Sequence, residues 1–256
     1  MNTTKSITMK KTLLFALALV TVRIMPLYGQ NQKNATTGTL NDHDWVDLDL
    51  PSGTLWATCN IGASNPEDYG NYYAWGEIRT KAFYNLDNYH HAKGNNGLTK
   101  YCSESEYDAD YGYNGFIDDL TILQTCDDAA TANWGTGWRM PTEKEWEELL
   151  QNTTSKWATQ NGVRGKLFTA KNGETLFLPA AGRHEDELVT VGSLGFYWSR
   201  ALDIDIPNYA WCLCFTPYDD GAESDEQVYY YRYGDCSVID NIRHNGLSIR
   251  PVTSSH

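Results

Sequence analysis

The stretch that decides the fold reading is Pro141-Thr-Glu-Lys-Glu-Trp-Glu-Glu-Leu-Leu150. Thr142 followed by Glu145 forms a capping box: the hydroxyl accepts from a free amide of the first turn, and the carboxylate reaches back. Trp146, Leu149 and Leu150 then share one face at i, i+3 and i+4, so a short amphipathic helix starts here. Just upstream, Asp127-Asp128-Ala129-Ala130 predicts a shorter helical turn with acids at its N-terminus. Everything else that is regular reads as strand. Residues 45–50 alternate apolar and polar, Pro51-Ser52-Gly53 turns, and 54–58 is the hairpin partner. Downstream, 163–169 and 175–178 flank Asn172-Gly173, a hairpin signal. Residues 196–198, 209–215 and 247–252 read as later strands. Strands, two short helices, then strands only is an α+β order with a mainly antiparallel sheet, not a βαβ series.

The 256 residues are 41% hydrophobic and 21% charged, with a net charge of −13. That length buries a core, and the apolar content excludes wholesale disorder. Lys10 and Lys11 precede an apolar run at 12–22, which predicts a secretory signal over residues 1–29, too short to span a bilayer. No cysteine adjoins its end to carry a lipid. Residues 30–44 read as a flexible leader and 45–252 as one domain. Within it, 79–126 is an irregular insertion rich in Asn, Asp, Tyr and Gly, and 253–256 is a tail. The expected location is exported: periplasmic, cell-surface or secreted. Such acidity argues against nucleic acid and anionic lipid as partners, since both are bound through basic patches, and no second apolar run gives a membrane span.

The six cysteines, at 59, 102, 126, 212, 214 and 236, allow 15 pairings. Cys102 with Cys126 is the pair that flanks the insertion. Cys212 and Cys214, two apart in a strand, point the same way and are poorly placed to bond each other. The 17 Tyr and 9 Trp suit a recognition surface, although strands use aromatics too.

Several strings recur together: Val46-Asp-Leu-Asp-Leu-Pro-Ser-Gly-Thr-Leu-Trp-Ala-Thr-Cys-Asn-Ile-Gly62, Tyr72-Tyr-Ala-Trp-Gly-Glu77, Gly137-Trp-Arg-Met-Pro-Thr-Glu143, Leu178-Pro-Ala-Ala-Gly182, Tyr197-Trp-Ser199 and Gly246-Leu-Ser-Ile-Arg-Pro-Val252. In this order they resemble the Fibrobacter succinogenes major paralogous domain of exported Bacteroidetes proteins. That family is similar to C-type-lectin-like and formylglycine-generating-enzyme-like folds. The resemblance implies a C-type-lectin-like fold with mainly antiparallel strands, two short helices and long loops. It also implies termini paired in one sheet and a loop face with variable side chains. Each string has an architectural reading as well. Trp138 and Arg139 pack and pair where the chain enters the helix, Pro179-Ala-Ala-Gly182 permits close approach, and Pro251 ends a strand.

Tests for chemistry fail in turn. Cys212 and Cys214 are spaced more tightly than the reactive pair of formylglycine-generating enzymes. Val191-Gly-Ser-Leu-Gly195 is not a nucleophile elbow, and no histidine pair has zinc-protease spacing. His90-His91 sit in the insertion and read as solvated. Glu185, Asp186 and Glu187 read as a charged turn. Lectin-type calcium ligands are missing at Ile206-Pro207-Asn208 and Trp211-Cys212-Leu213. The sequence therefore predicts no catalysis, no metal and no cofactor. The alternatives are a formylglycine-generating or polysaccharide-active enzyme, or a structural part of a surface assembly.

The last sixty residues predict a ligand face. Its candidates are Arg200, Asp203, Ile206, Tyr209, Cys212, Cys214, Tyr229, Tyr230, Tyr231, Tyr233, Asp235, Asp240, Ile242 and His244. Trp211, Leu213 and Phe215 are expected in the core, with both cysteines on the other side. The resemblance places Asn at many such positions in relatives. Tyr, Asp, His, Ile, Cys and Arg are all reached from AAC by changing adenines alone, which resembles the output of diversity-generating retroelements. A diversified and a fixed binder both fit, with a protein or glycan on another cell, a phage or a host surface as partner.

Overall fold

The computed structural model describes residues 35–93, 97–103, 117–217 and 236–254, all of which lie in one compact unit. The architecture is mainly antiparallel β with two α-helices. Strands β1 (Thr37–Leu40), β2 (His43–Asp47) and β3 (Thr54–Ala57) run as a meander, and the terminal strand β12 (Val252–Ser254) completes this sheet beside β3. The two ends of the domain are thereby zipped together. Asp128 caps α1 (Ala129–Trp134), and Thr142 caps α2 (Glu143–Asn152) in the expected box. A second sheet follows from β4 (Thr153–Gln160), β5 (Val163–Ala170) and β6 (Thr175–Pro179). The short pair β7 (Arg183–His184) and β8 (Leu188–Val189) leads into the third sheet. That sheet is β9 (Gly195–Leu202), β10 (Tyr209–Phe215) and β11 (Cys236–Ile242), with β10 central.

Around the middle of β10 the third sheet is packed on both faces. Ala210, Cys212, Cys214 and Ile239 join Trp75, Trp138 and Trp198 in one apolar cluster. Leu213 and Phe215 join Trp56, Trp146 and Leu149 of α2 in another. Two indole N–H groups in this core find carbonyl partners: Trp75 donates to Ser199 at 2.9 Å and Trp198 to Tyr73 at 2.8 Å. Gly195 permits this packing, since a Cβ there would lie 2.1 Å from the Phe215 ring.

Three expectations change. The ordered sheet begins at Thr37, inside the stretch read as a leader, because β1 pairs residue by residue with β2. Thr253 is buried in β12 rather than part of a tail. The described residues of the insertion hold no long element, yet Tyr84, Tyr89, Leu98 and Cys102 form their own buried cluster. In it His91 is buried, with Nε2 2.8 Å from the Gly76 carbonyl oxygen, so only His90 of the pair is exposed. Aromatic side chains organise that segment without a backbone period to betray it. Among the described residues no helix is long and apolar enough to cross a membrane.

Glu145 joins the helix to the first sheet. Its carboxylate takes two bonds from Arg139, at 2.7 and 2.5 Å, and another from Thr54 Oγ1 at 2.7 Å. Burial pushes its pKa up, but the Arg139 bonds and charge, with Thr142 and Thr54, outweigh this and hold it at about 2. The unfolded chain takes up that proton near the ordinary value of 4.5, so Glu145 stabilises fully above pH 4.5 and loses its contribution as pH falls toward 2. Urea melts at pH 7 should show Glu145→Gln less stable by about 2–3 kcal/mol. The gap to the wild type should narrow steadily between those two pH values.

Candidate functional site

Beyond Ile242 the chain keeps the period of a strand. Asn241, Arg243 and Asn245 are buried, whereas Asp240, Ile242 and His244 alternate with them at half-buried positions. Directly paired residues of antiparallel strands share a face. Tyr209 pairs with Ile242 and Trp211 with Asp240, so these four stand on one side of the third sheet. There Tyr209, Asp240, Ile242 and His244 line a cavity of about 320 Å³, within the range of small-molecule sites.

Its opposite wall comes from elsewhere in the chain. Arg183, Glu185 and Asp186 of the β7–β8 turn face it, with Tyr84 and Asn85 of the insertion. The turn is fixed by reciprocal backbone bonds between His184 and Gly246, at 2.8 and 2.7 Å. The insertion is fixed by the Tyr84 amide on Glu185 O at 2.9 Å and the Asn85 amide on Asp186 at 3.1 Å. Gly246 lets the Tyr84 ring lie against the backbone, since a Cβ there would come within 2.9 Å of three ring atoms.

The cavity is acidic. Arg183 pairs with Glu185 at 2.6 Å and lies over the Phe196 ring, leaving the charges of Asp186 and Asp240 in excess. Burial, with the Lys81 charge, lowers the pKa of His244 against the pull of Glu185 and Asp186, so its imidazole is neutral at pH 7. The walls thus offer carboxylates, amides, a phenol, a neutral imidazole and the Ile242 side chain. This set both donates and accepts hydrogen bonds around a small apolar patch, suiting a hydroxyl-rich or polar ligand. Among the described residues no three His, Cys, Asp or Glu side chains converge as metal donors.

The other sequence candidates are placed differently. Arg200 is spent on structure, with Nη2 donating to Leu123 O at 2.6 Å. Asp203 is buried and accepts from the amides of Asp205 and Ile206, closing a turn; burial raises its pKa. Arg200, Asp203 and Ile206 do not line the cavity. Tyr229, Tyr230, Tyr231, Tyr233 and Asp235 lie outside the described residues.

Cys212 and Cys214 require correction: they are not on a ligand face but in the core, 0% and 4% exposed. Strand parity is the reason. Tyr209 and Trp211 occupy the odd side, so the two even-numbered cysteines point opposite, into the cluster around Trp75 and Trp198. Trp211, expected in the core, is half-exposed. Burial drives both thiol pKa values up, well above the ordinary thiol. Nor does Cys102 pair with Cys126: Cys102 is buried, Cys126 is exposed, and the structure holds no disulfide between them. Arg183, Glu185, Asp186, Tyr84 and Asn85 escaped the sequence reading. Glu185 and Asp186 showed only as part of a charged turn, and nothing in the pattern marked Arg183, Tyr84 or Asn85.

No family model, no curated protein and no solved structure matches the chain.

Mass-spectrometric mapping of iodoacetamide labelling should find Cys126 modified first in the native protein, and Cys212 and Cys214 only after denaturant is added. Labelling of Cys212 ahead of Cys126 would contradict the buried assignment.

Proposed function

We propose that the chain is an exported, non-catalytic binding module of C-type-lectin-like architecture, whose recognition face is the acidic cavity between the third sheet and the β7–β8 turn. One observation carries this reading: Tyr209, Asp240, Ile242 and His244, distant in sequence from Arg183 and Asn85, converge with them on one concave polar surface. The lectin-like part rests on the resemblance, with support from the terminal strand β12 paired to β3. The ligand is a protein or glycan displayed on another cell, a phage or a host surface. It is held by hydrogen bonds to Asp240 and His244 and by apolar contact with Tyr209 and Ile242.

Retroelement diversification fits part of the candidate set. Positions 240, 242 and 244 accept new side chains without entering the core, whereas variation at 212 and 214 would reach fully packed space. The variable face we propose therefore leaves the two cysteines out.

The test is a Tyr209→Ala/Asp240→Asn double variant on printed arrays of glycans and of phage and cell-surface proteins. Spots captured by the wild type should lose about tenfold or more in signal. Because both residues are half-exposed, the melting temperature should stay within about 2 °C. Undiminished capture by the folded variant would remove this cavity from the binding surface.

A further inference from the structure

A second cavity, of about 460 Å³, lies elsewhere, between the 76–81 segment, the 88–90 segment and Cys126-Asp127. Its charges sort themselves in a way the first cavity's do not. Glu77 is buried, and its carboxylate is filled by Lys81 Nζ at 2.9 and 3.1 Å and by the His90 amide at 2.6 Å. Lys81 is spent in return, donating also to the carbonyl and side-chain oxygens of Asn88, at 3.1 and 2.9 Å. Asp127 accepts from Lys100 at 2.6 Å and from Tyr101 Oη at 2.5 Å. Both acids are thus neutralised by lysines. Arg79 is different. It lines the same cavity, is exposed, and among the described residues makes no hydrogen bond or ion pair.

We propose that this cavity binds a small carboxylate-bearing ligand of the hexuronic acid class, its carboxylate on Arg79 and its hydroxyls on the polar wall formed by His90, Asn88 and Asp127. A guanidinium offers two parallel N–H donors that match one carboxylate. A single negative charge balances Arg79. A phosphate dianion would carry a second, which stays unbalanced because Lys81 and Lys100 are already paired with Glu77 and Asp127. The walls favour a hydroxylated body over an apolar one, because Ile78 is the sole aliphatic side chain lining the cavity among the described residues. The volume lies within the range usual for small-molecule sites. This site shares no lining residue with the first cavity, so neither reading depends on the other.

The experiment is calorimetric titration of the whole chain with digalacturonate, alongside digalactose as its uncharged counterpart and N-acetylglycine as a carboxylate without the sugar. Digalacturonate should bind, and both controls should bind at least about tenfold more weakly. Arg79→Gln, at an exposed side chain without partners among the described residues, should keep its melting temperature and lose about tenfold or more in affinity for digalacturonate. The Tyr209→Ala/Asp240→Asn variant should bind digalacturonate like the wild type. No heat with digalacturonate, or equal affinity in Arg79→Gln, overturns the site. Binding of N-acetylglycine as tight as digalacturonate overturns the sugar class. Loss of binding in Tyr209→Ala/Asp240→Asn alone would move the ligand to the first cavity and overturn the assignment to the second.

Discussion

Arg243 is a buried guanidinium that finds no carboxylate partner among the described residues, and the arrangement of both cavities depends on how its charge is held. Nε donates to Tyr89 Oη at 2.9 Å, one terminal nitrogen to the carbonyls of Tyr101 and Pro207, and the other to that of Lys100. The faces of Trp75, Tyr89 and Tyr101 surround it, with the Trp75 centroid at 4.9 Å. A buried charge is costly unless its donors are met, and here carbonyl dipoles and ring quadrupoles replace the missing anion. The geometry is unforgiving, because the partners come from three separate parts of the chain. Meeting those donors requires the insertion, the 207 turn and the end of β11 to close on one point.

That closure sets the alternation on either side of it. With Arg243 inward, Ile242 and His244 are turned outward into the first cavity. Buried Asn245 is fixed by its amide bond to Asn241 at 2.9 Å, so the inner row continues as a chain of satisfied polar groups. On the far side of the guanidinium, Tyr89 and Tyr101 hold His90 and Asp127 at the second cavity. Tyr89 precedes His90, and Tyr101 Oη donates directly to Asp127. Arg250 does comparable work at the terminal sheet, where it donates to Asn60 and to the carbonyls of Ala57 and Thr58. The two arginines tie late chain to early chain without a carboxylate in either set of bonds.

Local rules made much of this legible. The capping box at Thr142, the Asn172-Gly173 turn and the apolar alternation in 209–215 each act within a few residues, and each element formed where those signals put it. Strand β4 escaped because Thr153–Gln160 is half-exposed on both faces and carries no clear alternation. The insertion escaped for the opposite reason: its described residues are ordered by Tyr84, Tyr89 and Tyr101 reaching partners up to 154 residues away, such as Tyr89 to Arg243. At the site, period two carried through the paired strands puts the ligand-face candidates Tyr209, Asp240 and Ile242 on one side. It was misapplied at Cys212 and Cys214, whose even numbers could not share a face with Tyr209. The acids of the β7–β8 turn were visible but not assignable, since only the folded chain brings that turn to β11.

Opposite charge in the two cavities follows from which partners each acid finds. At Glu77 and Asp127 a lysine lies within hydrogen-bond reach, so these acids become structural and Arg79, unpaired among the described residues, sets the sign. At Asp186 the partner is an uncharged amide, and among the described residues only Glu185 of the three acids lining the first cavity has an ion-pair partner. The sign is therefore fixed by local pairing and not by the net charge of −13, which would make every surface acidic if it acted uniformly. Screening limits such long-range influence to about 8–10 Å at ordinary ionic strength, whereas contacts below 3 Å persist. A single chain can in this way present an anionic and a cationic recess on one aromatic framework. Substitutions at Asp240 or His244 would retune the first without disturbing the pairs that define the second.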